Sequence, residues 1–272
     1  MSIGSLLYLH RGSLSSAEIK SDLDFLIKLL ENEGRKKKRW EVYLNGNEES
    51  FEDGDVHSHS LLMEHLAYKE SMIEGLDEEK AITLMWTARF HDLGELKDGD
   101  INFNLKTEND DAEEAIHIRK KIHSNLKSDY VKEMLEKALS ISLDRRNLPN
   151  EEFDYVDFFQ SLEGRGYMNT AIKMLEKKHI SQWNMLMANV FFNQLIPMIE
   201  HGKKYRSVRI YLQKNAKMIS RGIENHFTHE HVHKSFEKIY GQGLEEKKKS
   251  MDISTKKIDQ IKKAWEEFIE KY

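Results

Sequence analysis

The chain has 272 residues, of which 39% are apolar and 33% charged, with 47 acidic against 42 basic side chains and a net charge of −5. That length can bury a sizeable core, and the steady recurrence of Leu, Ile, Phe, Met, Trp and Tyr excludes a disordered chain. The acidic balance excludes a general basic field for nucleic acid, and the absence of cysteine excludes disulfides and thiolate metal sites.

An anionic substrate must therefore be met locally, by a metal or by a few placed cations. No window approaches the roughly 18 apolar residues of a membrane span. The run Ser5–Leu9 is too short for the core of a signal peptide and has no basic residue before it. These features set the expectation of a cytoplasmic protein without a membrane or nucleic-acid partner; self-association stays open. Only Pro149 and Pro197 could break helices, so the expected fold class is all-α.

In chain order, residues 16–33 form a predicted amphipathic helix, with Ile19, Leu23, Leu26 and Leu30 at helical spacing and Gly34 as its C-cap. The basic run Arg35–Arg39 follows, and residues 41–58 read as a loop rich in Asn, Gly, Glu and Asp. The next helix begins near His57 or Ser58 and carries Leu62, Met63 and Leu66 on one face. Another runs from about Asp77, as its N-cap, to Phe90. Residues 93–107 read as a turn and loop, and helices follow at 108–126, 128–141 and 150–176. Further helices are expected at 181–201, 205–226 and 255–271, with Pro197 kinking or ending the first of these. No period-2 pattern argues for a sheet.

The most informative stretch is Arg89-Phe90-His91-Asp92-Leu93-Gly94-Glu95, followed by Gly99-Asp100. Two metal-competent side chains stand side by side at the end of an apolar helix. Adjacent helical residues point about 100° apart, so both reach one ion only if it lies at the helix end. Upstream, His57-Ser58-His59 begins another apolar helix. Imidazole nitrogens mixed with carboxylates suit a divalent transition ion such as Mn, Co, Fe or Zn. Such an ion lowers the pKa of bound water and polarises a phosphoryl oxygen.

The order of these residues resembles the HD-domain superfamily of metal-dependent phosphohydrolases. Its pattern is a histidine on one helix, a His-Asp doublet on a later helix, and a distal aspartate. Here His59 precedes the doublet by 91 − 59 = 32 residues, and Asp157 follows it by 157 − 92 = 65. Glu95 in His-Asp-x-x-Glu and the pair Gly99-Asp100 resemble the 5′-deoxynucleotidase-like branch. The resemblance covers about residues 35–170, half of the chain.

The resemblance implies an HD-type helical bundle over 1–176; residues 177–272, which it does not cover, read as a helical extension packed on this core, although one continuous domain is also compatible. It implies one divalent ion (Mn, Co, Fe, Zn or Mg) held by His59, His91, Asp92 and Asp157. Asp154 competes with Asp157, and His57 with His59. Glu95 and Asp100 become the catalytic carboxylates, one activating water and the other protonating the leaving oxygen. Arg39 and Trp40 resemble an Arg-Trp pair that binds substrate, arginine suiting a phosphate. The gap from Arg39 to His59 is 59 − 39 = 20 residues, longer than the pattern, with an acidic insertion at Glu48–Asp55.

The expected substrate is a small phosphate ester, in first place a nucleoside monophosphate. Triphosphate release from a dNTP is the alternative. A phosphodiesterase reading needs a second metal, for which His117 and His123 are candidates by spacing, and a non-catalytic regulatory module is the remaining class. In the distal third, the His226–His233 cluster reads as a solvated loop or helix start that could bind metal incidentally, and Lys247–Lys249 as a solvated face.

Overall fold

The computed structural model describes residues 16–39, 54–98, 108–143, 154–176, 181–240 and 252–272. The fold is all-α. No strand occurs among the described residues, and one isolated antiparallel bridge joins Lys38 to Asp55. The described residues fall into two compact units, one up to Leu162 and one from Glu163 onward.

The first unit opens with α1 (Ala17–Glu33). Ser16 caps it, its hydroxyl accepting the Ile19 N–H at 3.2 Å. Leu23, Leu26, Ile27 and Leu30 form its buried stripe. Gly34 does cap α1, but in a right-handed conformation with φ −64°. Its lack of a side chain has another use: a Cβ there would stand 3.0 Å from the His57 nitrogen. A single 3₁₀ turn (Gly34–Lys36) leads to the bridge, where the Arg39 N–H donates to the Gly54 carbonyl at 3.0 Å. This ties Arg39 to the start of the next helix.

Helix α2 (Val56–Glu74) starts at Asp55, whose carboxylate accepts the Ser58 N–H at 2.8 Å. It ends at Gly75, which has φ 69°, a left-handed conformation that glycine adopts without steric penalty. Its buried face differs from the expected one. Met63 is buried, but Leu62 and Leu66 are only half-buried, and the inward positions include His59, Ser60, Glu64, Ala67 and Glu70. Helix α3 (Glu78–Phe90) is capped by Asp77, which accepts the Lys80 N–H at 2.9 Å. From Thr83 to Phe90 every residue is buried, so α3 runs through the centre of this unit.

The turn His91–Gly94 and the single helical turn α4 (Glu95–Asp98) follow. Next come α5 (Glu108–Lys121), a 3₁₀ turn (His123–Asn125) and α6 (Asp129–Ser142). Buried Asp22 on α1 accepts the backbone N–H groups of Lys127 and Ser128, both at 2.7 Å, which fixes the start of α6. Helix α7 spans Tyr155–Glu176, and the division between the units falls within it.

In the second unit, α8 (Ser181–Lys204) packs with α9 (Arg206–His226), α10 (His229–Tyr240) and α11 (Thr255–Lys271). Pro197 lies inside α8, which continues past it; Leu195, Met198 and Ile199 around it are buried. Their packing outweighs the hydrogen bond that proline removes. Ile258, Ile261, Trp265 and Phe268 form the buried stripe of α11, and Trp265 Nε1 donates to the Ser220 hydroxyl at 2.9 Å. Residues 229–240 are helical, so the histidine-rich segment is a helix start. No helix among the described residues is long and apolar enough to cross a membrane.

Candidate metal centre

Helices α2 and α3 bring His59, His91 and Asp92 together, with one ligand atom of each lying within 4.8 Å of the others. All three are buried. The arrangement follows from local structure. His59 stands one turn into α2, facing inward beside Met63. His91 is the C-cap of α3 with φ −61° and ψ −34°, so the helical direction persists for one more residue. Beyond it the chain folds into a turn, in which the Glu95 N–H donates to the Asp92 carbonyl at 3.1 Å. The doublet therefore sits at the helix end, the place where neighbouring side chains converge on one point.

Gly94 lets a neighbouring helix approach this turn closely. A Cβ on it would stand 2.5 Å from the Glu114 Cβ and 2.9 Å from a Glu114 carboxylate oxygen. Helix α5 thus packs directly on the backbone that presents the doublet.

His91 Nδ1 lies 2.9 Å from the Ala88 carbonyl. A carbonyl only accepts, so Nδ1 carries a proton and donates it, which makes Nε2 the nitrogen that can ligate. That nitrogen is 3.0 Å from Asp92 Oδ1. Two acceptors at this distance require a shared cation between them, either a proton or a metal. The other Asp92 oxygen, Oδ2, is buried, accepts no hydrogen bond, and lies 3.8 Å from His59 Nε2. Atoms each about 2.1 Å from one tetrahedral or octahedral ion are about 3.0–3.4 Å apart, so the two separations to Asp92 are close to that range, and the whole set, within 4.8 Å, closes on an ion by side-chain adjustment.

Burial, the Arg39 guanidinium and His91 hold the His59 imidazole well below its ordinary range. It is therefore neutral and able to ligate. The rings of His59 and His91 meet edge to face at 5.3 Å, and Phe159 on α7 packs edge-on against His91 at 5.4 Å. This residue set can hold a divalent metal ion; the mixture of two imidazoles and a carboxylate suits a transition ion.

The remaining candidates are placed as follows. His57 lies outside the cluster and turns instead to Arg89, whose guanidinium nitrogens are 3.4 Å from the His57 carbonyl and 3.4 Å from its Nδ1. Burial and the Arg89 charge push the His57 imidazole down to about 4. Arg39 and Glu95 are both buried, at the bridge before α2 and at the start of α4. Asp154 caps α7 by accepting the Asp157 N–H at 3.0 Å, and Asp157 stands in the first turn. Neither belongs to the three-residue cluster. His117 and His123 also stand outside it; His123 Nε2 lies 3.7 Å from a Glu136 oxygen. Trp40, Asp100 and Lys247–Lys249 lie outside the described residues.

Comparison with family models, curated proteins and solved structures finds no match to this chain.

Sequence reasoning did not find what holds the two ligand-bearing helices in register. Glu64 on α2 and Arg89 on α3 are both completely buried, with Arg89 Nε 3.6 Å from Glu64 Oε2. Arg89 stands two residues before His91, and Glu64 five residues after His59. The ion pair thus ties α2 to α3 beside the cluster. The signal was a lone arginine at the end of the apolar run Leu84–Phe90, a position where a charge needs a buried partner.

Proposed function

We propose that this chain is a metal-dependent phosphohydrolase that acts on a nucleotide phosphomonoester. The observation that supports this most is the buried cluster of His59, His91 and Asp92, with His91 held in the ligating tautomer and one Asp92 oxygen accepting no hydrogen bond. With Glu95, Asp100 and Asp157, the same three residues carry the resemblance to HD-domain phosphohydrolases, and Glu95 is buried in the following turn.

On this reading His59, His91 and Asp92 would hold the ion, with Asp157 as the fourth protein ligand. When bound, the ion would supply a water of lowered pKa and polarise the phosphoryl group. Arg39, buried and close enough to His59 to lower its pKa, neutralises the phosphate oxygens. The resemblance assigns Trp40 to contact with the sugar or base. Of Glu95 and Asp100, one takes a proton from the attacking water and the other gives a proton to the leaving sugar oxygen. The bond from phosphorus to that oxygen breaks, its electron pair stays with the oxygen, and the products are a nucleoside and orthophosphate. Phe159 packs on His91 and limits its motion.

The test is to incubate metal-stripped protein with Mn, Co or Mg and a panel of nucleoside mono- and triphosphates, then identify the product. Orthophosphate from monophosphates, lost in Asp92→Ala, supports the reading. Triphosphate release supports the dNTP alternative. No turnover with any nucleotide or metal, in a protein that does bind the metal, points to a regulatory module.

A further inference from the structure

The second unit contains a pair of histidines that the phosphohydrolase reading does not use. His229 and His233 are separated by 233 − 229 = 4 residues on α10, which places them on one face, one turn apart. Their ring centroids are 4.3 Å apart with an interplanar angle of 52°. His229 is exposed and His233 half-buried, so the pair faces solvent.

This spacing is close to that of a chelate. An ion about 2.1 Å from an imidazole nitrogen lies about 3.2 Å from the ring centre, so two rings at 90–110° around it have centres about 4.5–5 Å apart. The observed separation needs only a small opening of side-chain torsions. Backbone strain is not required, because helix α10 already sets the register. The rest of α10 is anchored away from the pair: Phe192 on α8 packs on Phe236 at 5.2 Å. His231 is turned elsewhere, its Nδ1 donating to the His226 carbonyl at 2.9 Å. Glu230 is engaged with Lys234 at 2.5 Å, which leaves the two imidazoles as the ligands.

We propose that His229 and His233 form a second, two-ligand site for a borderline divalent transition ion, with water completing its coordination. Nitrogen-only ligation favours Cu, Ni and Zn over Mg, Ca or Mn. Among the described residues no third histidine or carboxylate completes the set, so this site binds more weakly than the buried centre. The ion also stands in the first turn of α10, where the helix dipole disfavours a cation, which lowers the affinity further.

The test is a calorimetric titration of the full chain with nickel(II) chloride, using wild type, His229→Ala, and His229→Ala combined with Glu237→His. The last variant rebuilds a four-residue histidine spacing with His233, one turn later on the same helix. The expected result is one fewer nickel ion per chain in His229→Ala, regained in the double variant. Asp92→Asn serves as the reference for the buried centre and leaves the His229–His233 ion in place. Unchanged stoichiometry and affinity in His229→Ala, or a loss that Glu237→His does not restore, overturns the proposal.

Discussion

Replacing Arg89 with methionine removes the cation that faces Glu64 in the interior of the first unit. The two side chains are 1% and 0% exposed, so water cannot compensate the carboxylate that remains. Breaking one side of such a buried pair costs about 3–5 kcal/mol, because a charge is left in a medium that solvates it poorly. The contacts of Arg89 with the His57 carbonyl and ring, at 3.4 Å each, are lost as well. For a cooperative unit of this size each kcal/mol lowers Tm by about 2–4 °C, so the melting point should fall by about 6–20 °C. Replacing both partners, with Glu64→Leu added, removes the buried carboxylate that has lost Arg89 and should recover most of that loss. The assay is a double-mutant cycle by thermal and urea denaturation, repeated with a Mn titration, because α2 and α3 carry the residues of the candidate metal centre. A coupling energy above about 2 kcal/mol is expected, with metal affinity following stability. If both single variants lie within about 0.5 kcal/mol of wild type and add without coupling, the pair does not set the register of these helices.

Three further outcomes follow from the structure. Gly94→Ala places a methyl 2.5 Å from the Glu114 Cβ, so it should cost about 1–3 kcal/mol and weaken metal binding, with relief when Glu114→Gly is added. Asp22→Ala removes two hydrogen bonds to the backbone N–H groups of Lys127 and Ser128, and a loss of about 3 kcal/mol is expected by urea denaturation. His226 is held neutral by burial, then by His231 and Arg221, and its Nδ1 has no hydrogen-bond partner. The unfolded chain binds the extra proton first, so stability is level above the ordinary imidazole value and declines as pH falls through it. His226→Gln should flatten that slope in melts between about pH 7 and pH 5, and an unchanged slope would assign the acid sensitivity elsewhere.

The fold class was legible because helix signals act locally. Ser16 and Asp77 accept hydrogen bonds from backbone N–H groups three residues on, and such caps can be read in any sequence. Pro197 does not end α8, since tertiary packing around Leu195 and Met198 keeps the helix continuous. In α2 the apolar pattern pointed to Leu62 and Leu66, whereas the inward face carries Ser60, Glu64 and Glu70. Buried polar residues cannot be told from solvated ones until their partners are known, and Arg89 lies 89 − 64 = 25 residues from Glu64. His91 and Asp92 were legible because adjacency guarantees proximity. His59 joins them only through the packing of two helices, and that same packing turns His57 toward Arg89. The contact between Gly94 and Glu114 depends on how α5 returns to the turn, which no local pattern encodes.

The most direct measurement is cobalt(II) binding to metal-stripped protein, read from the visible absorption of the bound ion and from calorimetric stoichiometry. It is best made in the His229→Ala, His233→Ala background, so that the buried centre is seen by itself. One cobalt ion per chain is expected, with the visible band and the binding heat both lost in Asp92→Ala and in His59→Ala while each variant remains folded. Cobalt binding that is absent in the parent, or that persists unchanged in folded Asp92→Ala, would contradict a metal centre built on His59, His91 and Asp92.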